Sequence, residues 1–253
     1  MTTLLYDGSI ALDFQEKGHK YTLDGNPVAS VTTVLGALNK PALVGWAAKM
    51  TALYWEDLII PGNPLTLDEV ELAEHVKASK AARFKKSNKA LEVGNITHDF
   101  AEQYALGRNP KLPTNDQART ACEAFLVWWK EHNVQVIAVE RKCYSKIYQF
   151  CGTVDLLCKI EGHICVCDWK SSSGIFDEYK AQLSAYRQAL MEELGHDITG
   201  AWVVRFDKET GVAEDYAMNA AEIEAGWDTF HGALTASRGL TKLKQLKKDK
   251  KND

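Results

Sequence analysis

The chain has 253 residues, 45% hydrophobic and 25% charged, which suits a folded soluble protein of one large domain or two small ones. No apolar run reaches the roughly 18 residues that cross a bilayer, and the opening MTTLLYDGSIALDF lacks the basic start and long apolar stretch of a secretory signal, so a cytoplasmic protein with no membrane partner is expected. The net charge of −4 is uneven: residues 241–253 hold six Lys and two Asp, leaving 24 basic against 32 acidic residues in 1–240, a body that meets polyanions only where cations cluster or metal ions neutralise carboxylates.

Residues 8–28 alternate apolar and polar around turn signals at Lys17-Gly18 and Asp24-Gly25-Asn26-Pro27, which predicts a hairpin. Ser30 to Thr33 offer caps for a short helix, and 43–59 carry large apolar residues at helical spacing. Trp46, Tyr54 and Trp55 in and around that stretch are expected in the core. After the break at Pro61-Gly62-Asn63-Pro64, Thr66 to Glu69 resemble a capping box. Helical patterning follows over 67–82 and 90–106, and again over 115–132 beyond Asn109-Pro110 and Pro113.

From residue 134 the period changes. VQVIAVERKCYSKIY, FCGTVDLLCKI and HICVCDWKS are rich in β-branched and aromatic residues, with turns at Gln149 and Glu161-Gly162. They predict a strand meander. A helix over 176–194 ends at Gly195, followed by a strand at 199–206, a turn near Gly211, a short strand and a helix over 219–236. The Lys-rich end offers little apolar surface and reads as a disordered tail.

Cysteines stand at 122, 143, 151, 158, 165 and 167 with no CxxC pair, which argues against a zinc ribbon. Five lie in the predicted strands, where free Cys packs as a small hydrophobe.

The chemistry concentrates in two neighbouring strands, Gly152-Thr153-Val154-Asp155 and Val166-Cys167-Asp168-Trp169-Lys170. Strand alternation turns Asp168 and Lys170 to one face and Trp169 to the other, and Asp155 can project toward the same spot. Carboxylates among Val, Leu, Cys and Trp are costly unless compensated. Mg²⁺ or Mn²⁺ would compensate, held by two carboxylates with waters and phosphate oxygens, and Lys170 could orient a water or offset developing charge. The alternative is a structural ion pair of Lys170 with the two Asp. Glu140 either reaches the same cleft or is an exposed strand residue balanced by Arg141 and Lys142.

GTVD followed by DWK resembles the PD-(D/E)XK nuclease superfamily, and its RecB-like exonuclease branch in particular, with a looser likeness of the SVTTVL stretch to phage-type and mitochondrial-maintenance exonucleases. The resemblance implies metal ligation by Asp155 and Asp168 and a catalytic Lys170. Gly94 to Glu102 resembles the branch's G-x-x-x-H-x-x-x-E helix, which implies His98 as a third metal ligand and Glu102 as a supporting catalytic acid. Gln182 to Tyr186 resembles its Q-x-x-x-Y motif, which implies DNA contacts by Gln182 and Tyr186. No Cys follows residue 167, so the iron–sulfur cluster of some relatives is not expected.

Lys77, Lys80, Arg83, Lys85, Lys86 and Lys89 precede the His98 segment. They form either a phosphate-following face, with Lys80, Arg83 and Lys86 as contacts, or a solvated surface.

The expected architecture is α/β: a restriction-endonuclease-like core at 90–237 with a central mixed sheet flanked by helices, an N-terminal hairpin and helical extension at 1–89, and the tail at 241–253. The implied activity is Mg²⁺- or Mn²⁺-dependent exonuclease action on single- or double-stranded DNA ends, in phage or host recombination, replication or repair, with a partner protein from one of those processes. An endonuclease, an RNA-directed nuclease or an inactive DNA-binding protein remain open.

Overall fold

The computed structural model describes residues 1–38 and 40–252. They divide into two compact units: one joins Met1–Leu38 to the chain from Ile96 onward, and the other holds the intervening stretch up to Asn95. The expected boundary at residue 89 lies within the second unit, and the N-terminal segment packs with the core. Among the described residues, no helix is long and apolar enough to cross a membrane.

The first unit opens with an antiparallel four-stranded sheet, β1 (Thr2–Leu5), β2 (Ile10–Gln15), β3 (Lys20–Leu23) and β4 (Asn26–Val28), where the sequence predicted only a hairpin. Leu5, Leu12 and Tyr21 from this sheet pack on Tyr144 and Cys151 of the core. The Tyr21 hydroxyl lies 2.6 Å from Thr153 Oγ1, and the Cys151 N–H donates to the Ala29 carbonyl. The short α1 (Val31–Leu35) follows, capped by Ser30, whose hydroxyl accepts from the Thr33 N–H.

The second sheet is the centre of the unit, with strand order β5 (Gln135–Ser145), β6 (Phe150–Ile160), β7 (His163–Lys170), β8 (Gly200–Phe206) and β9 (Ala213–Ala217). The meander β5–β6–β7 is antiparallel, β8 is parallel to β7 after the crossover helix α5 (Asp177–Leu194), and β9 is antiparallel to β8. Helices α1, α5 and the last helix α6 (Ala220–Asn252) cover one face, with Val154, Val166, Val203, Leu183 and Phe230 between the layers. On the other face, α4 (Asp116–Glu131) and residues from Phe100 bury Phe125, Trp128, Trp169 and Phe206. This mixed sheet flanked by helices is the predicted class.

In the intervening unit, α2 (Pro41–Glu56) starts with proline in its first turn, where the missing N–H costs nothing. The two helices predicted beyond it are one, α3 (Glu69–Ala105), which continues into the core unit. Its middle is Lys, Arg and Ala, strong helix formers with no proline to stop them. Trp46, Tyr54 and Trp55 are only half-buried, and the Tyr54 hydroxyl lies 2.8 Å from His75 Nδ1.

The predicted disorder at 241–253 is corrected as far as Asn252, since α6 runs through it. The packed segment around Phe230, Ala233 and Leu234 supplies the costly nucleus, and Leu, Lys and Gln propagate it although their side chains up to residue 250 stay exposed. All six cysteines are free and buried as expected. Burial pushes Cys122 and Cys151 up to about 12 and Cys165 up to about 11, far from thiolate reactivity.

Candidate active site

Strand β7 alternates as its sequence predicts. Cys165, Cys167 and Trp169 face the α4 layer and Val166 the α5 layer, which turns Asp168 and Lys170 toward α5. Trp169 is locked edge-on against Phe125, with ring centroids 5.6 Å apart.

Its neighbours do not alternate strictly. In β6, Val154 and Leu157 both face the α5 layer, three residues apart. In β5, Ala138 and Cys143 face that layer although they are five positions apart, and Glu140 between them has a left-handed backbone with φ 49°. Both strands thus slip by one position, a bulge-like step that re-aims side chains. Glu140 and Asp155 sit on it, facing each other between the paired residues Val139↔Leu156 and Arg141↔Val154.

The β6–β7 ladder ends at Leu156↔Cys167, so the next residues in register are Asp155 and Asp168. The Trp169 N–H, which a continuing strand would have paired, donates instead to Asp155 Oδ2 at 2.9 Å. Two carboxylates directly opposite one another repel. Asp168 is 1% exposed, and burial, with Asp155 adding to it against the pull of Lys170, raises its carboxyl to about 6. Lys170 Nζ lies 2.5 Å from Asp168 Oδ2, which otherwise has no hydrogen-bond partner. Burial disfavours the Lys170 cation, but the charges of Asp168 and Asp155 outweigh it and the ammonium is held on.

Helix α5 supports this pair. Gln182 Nε2 donates to Asp168 Oδ1 at 3.0 Å and to the Tyr186 hydroxyl at 3.1 Å. Both residues expected at the DNA are buried, Tyr186 within the apolar layer; they face inward, where Gln182 holds Asp168 and the Tyr186 hydroxyl steadies Gln182. The Gly of GTVD belongs to the same arrangement, because a Cβ on Gly152 would lie 2.4 Å from Tyr186 Cε1. Tyr179, which no motif marks in the sequence, has its ring centroid 4.7 Å from Lys170 Nζ. Its position three residues before Gln182 was the available signal.

His98 comes from the core-unit part of α3, with Nδ1 3.7 Å from Asp155 Oδ2 and its ring against Trp169. Glu140 is raised to about 7, first by burial and then by Asp155, with Glu102 and Asp168 adding to it and Lys142 opposing. Asp155, Asp168, Lys170, His98 and Glu140 are therefore brought together, with Glu102 near enough to act on Glu140. Lys80, Arg83 and Lys86 are exposed on the part of α3 that belongs to the other unit.

Among the described residues, no three His, Cys, Asp or Glu side chains converge into a ready-made metal cluster. The oxygen-rich pair with a buried, under-bonded Asp168 oxygen fits a hard cation that keeps several waters and takes one or two carboxylates plus substrate phosphates. Asp155 and Asp168 would hold it, with His98 at hand.

The sequence description of the PD-(D/E)XK nuclease superfamily matches residues 71–248. No curated protein matches the chain. Among solved structures it is similar to a crystal structure of a candidate exonuclease from Eubacterium rectale, with 10% identity and a TM-score of 0.40. That match covers 55% of this chain and 64% of the other, less than two thirds of its length.

Proposed function

Because the chain belongs to the PD-(D/E)XK nuclease superfamily, we propose that it is a divalent-metal-dependent deoxyribonuclease of the RecB-like branch, free of an iron–sulfur cluster and acting as an exonuclease on DNA ends. One observation carries the reading: Asp155 and Asp168 meet in register at the end of a strand ladder, with the Lys170 ammonium 2.5 Å from Asp168. A merely structural ion pair does not call for a second carboxylate opposite the first.

Divalent ions are the general requirement of the superfamily, and the oxygen donors favour Mg²⁺ or Mn²⁺. When bound, such an ion supplies a water that ionises near neutral pH and a contact that draws charge from a phosphate oxygen. Asp155 and Asp168 orient it, with His98 as further ligand and Glu102 and Glu140 as supporting acids. Lys170, steadied by Asp168 and Tyr179, sets a fixed positive charge where the phosphodiester gains negative charge. Lys80, Arg83 and Lys86 take the DNA backbone. The role we assign is processing of DNA ends in recombination, replication or repair, in the cytoplasm of a bacterial host and from a phage or prophage.

The test is cleavage by purified protein with Mn²⁺ of linear DNA labelled at either 5′ or 3′ end, beside circular DNA. Loss of label from linear DNA alone, abolished in Asp168→Ala and Lys170→Ala, is the expected result. Equal degradation by wild type and variants, or none with any divalent metal, overturns the assignment. Cutting of circles makes it an endonuclease.

A further inference from the structure

Phe84 is the most exposed of the eight phenylalanines, at 54%, and it lies in the most basic stretch of α3. Residues 76–91 contain six cations and no Asp or Glu, in a chain that is acidic overall. All six, from Lys77 to Lys89, are exposed. Phe84 follows Lys77 by seven residues and Lys80 by four, so the three share one helical face, while the buried Ser79 lies on the opposite one. The Arg83 guanidinium sits 4.4 Å from the Phe84 ring centroid.

We infer that this face of α3 is a binding surface for single-stranded DNA, with Phe84 as a stacking platform for one base and Lys77, Lys80 and Arg83 on the flanking phosphates. A solvated basic helix has no need of a bare aromatic ring, and along its length duplex DNA keeps its base faces stacked away from one. Single strands present both a π-face and phosphates, and an exposed ring among cations serves both. Arg83 over the ring adds cation–π attraction and leaves the opposite ring face for the base. The inference deepens the nuclease reading and rests on it for the choice of DNA; it names single strands as the substrate form.

The experiment is fluorescence anisotropy of the full-length protein with a labelled oligo(dT) 20-mer and a 20-base-pair duplex, in EDTA so that nothing is cut. Phe84→Ala is expected to weaken oligo(dT) binding roughly ten-fold and leave duplex binding unchanged, with an unaltered melting temperature because the ring is exposed. Phe84→Trp, which keeps a π-face, is expected to bind as wild type does. Replacing Lys77, Lys80 and Arg83 by Ala should flatten log K against log salt by about 0.7 per lost phosphate contact. Wild-type affinity in Phe84→Ala, or an equal loss on duplex, overturns the inference. Were such a protein still to cut DNA with Mn²⁺, the nuclease reading would stand alone; were Phe84-dependent binding seen without any cutting, only the nuclease reading would fall.

Discussion

A Cβ on Gly152 would lie 2.4 Å from Cε1 of Tyr186, so the backbone of β6 and a ring of α5 share space that only glycine leaves open. The same Tyr186 hydroxyl accepts from the amide that steadies Asp168. Gly152→Ala should therefore lose about 1–3 kcal/mol of stability through overpacking. It should also lower activity beyond what the unfolded fraction explains. Denaturant melts and cleavage rates at a temperature where the variant stays folded separate the two effects; a variant as stable and active as wild type would show that the ring has room to move.

Gln182→Met keeps the length of the side chain and removes its donor. It leaves Asp168 Oδ1 without its amide partner in a buried place, a cost of about 1–3 kcal/mol, and cleavage should fall with it. Tyr186→Phe deletes only a hydroxyl and should cost about 0.5–1.5 kcal/mol. Since Tyr186 is buried, its DNA affinity in EDTA should equal that of wild type. A large loss of binding in Tyr186→Phe would return the residue to the DNA surface.

The carboxylates also set a pH dependence. Free Asp and Glu titrate near 4, whereas burial and mutual repulsion raise Asp168 to about 6 and Glu140 to about 7 in the folded chain. Between about pH 4 and 7 the folded state holds more of these protons than the unfolded one, so in EDTA stability should fall as pH rises through that window. Mn²⁺ should restore it most at the alkaline end, where both groups are ionised. Thermal melts from pH 5 to 8 with and without Mn²⁺ measure this. Stability that rises with pH in EDTA would contradict the raised carboxyls.

Lys170→Arg keeps a positive charge but exchanges a compact ammonium for a planar fork, in a space bounded by Asp168 and the Tyr179 ring. Cleavage should drop by at least about a hundred-fold, as losing one aimed donor usually does. Single-turnover rates with saturating Mn²⁺ test it, and near-wild-type turnover would reduce the role of Lys170 to charge alone.

Much of this was legible in the residues. Alternation in ICVCDWK put Asp168 and Lys170 on one face, and turn residues marked the strand order. What escaped depended on contacts distant in sequence. Glu140 is neither Gly nor Asn, so nothing local announces its left-handed backbone. Gln182 and Tyr186 turn inward because α6 and the sheet enclose α5: a Cβ on Gly226 of α6 would meet Ser184 Oγ at 2.4 Å. The last turns of α6 carry too little apolar content to announce a helix, and they form by propagation from the packed segment at Phe230.

Asp155 and Asp168 are neighbours solely through the pairing of β6 with β7. A displacement of one residue along that ladder would turn one carboxylate to the wrong layer and separate the pair. The centre therefore cannot be half assembled: a collapsed chain with its full helix content but unsettled strands would be inert. Recovered activity after refolding would count only those molecules whose strands have found their native partners, a stricter measure of success than circular dichroism gives.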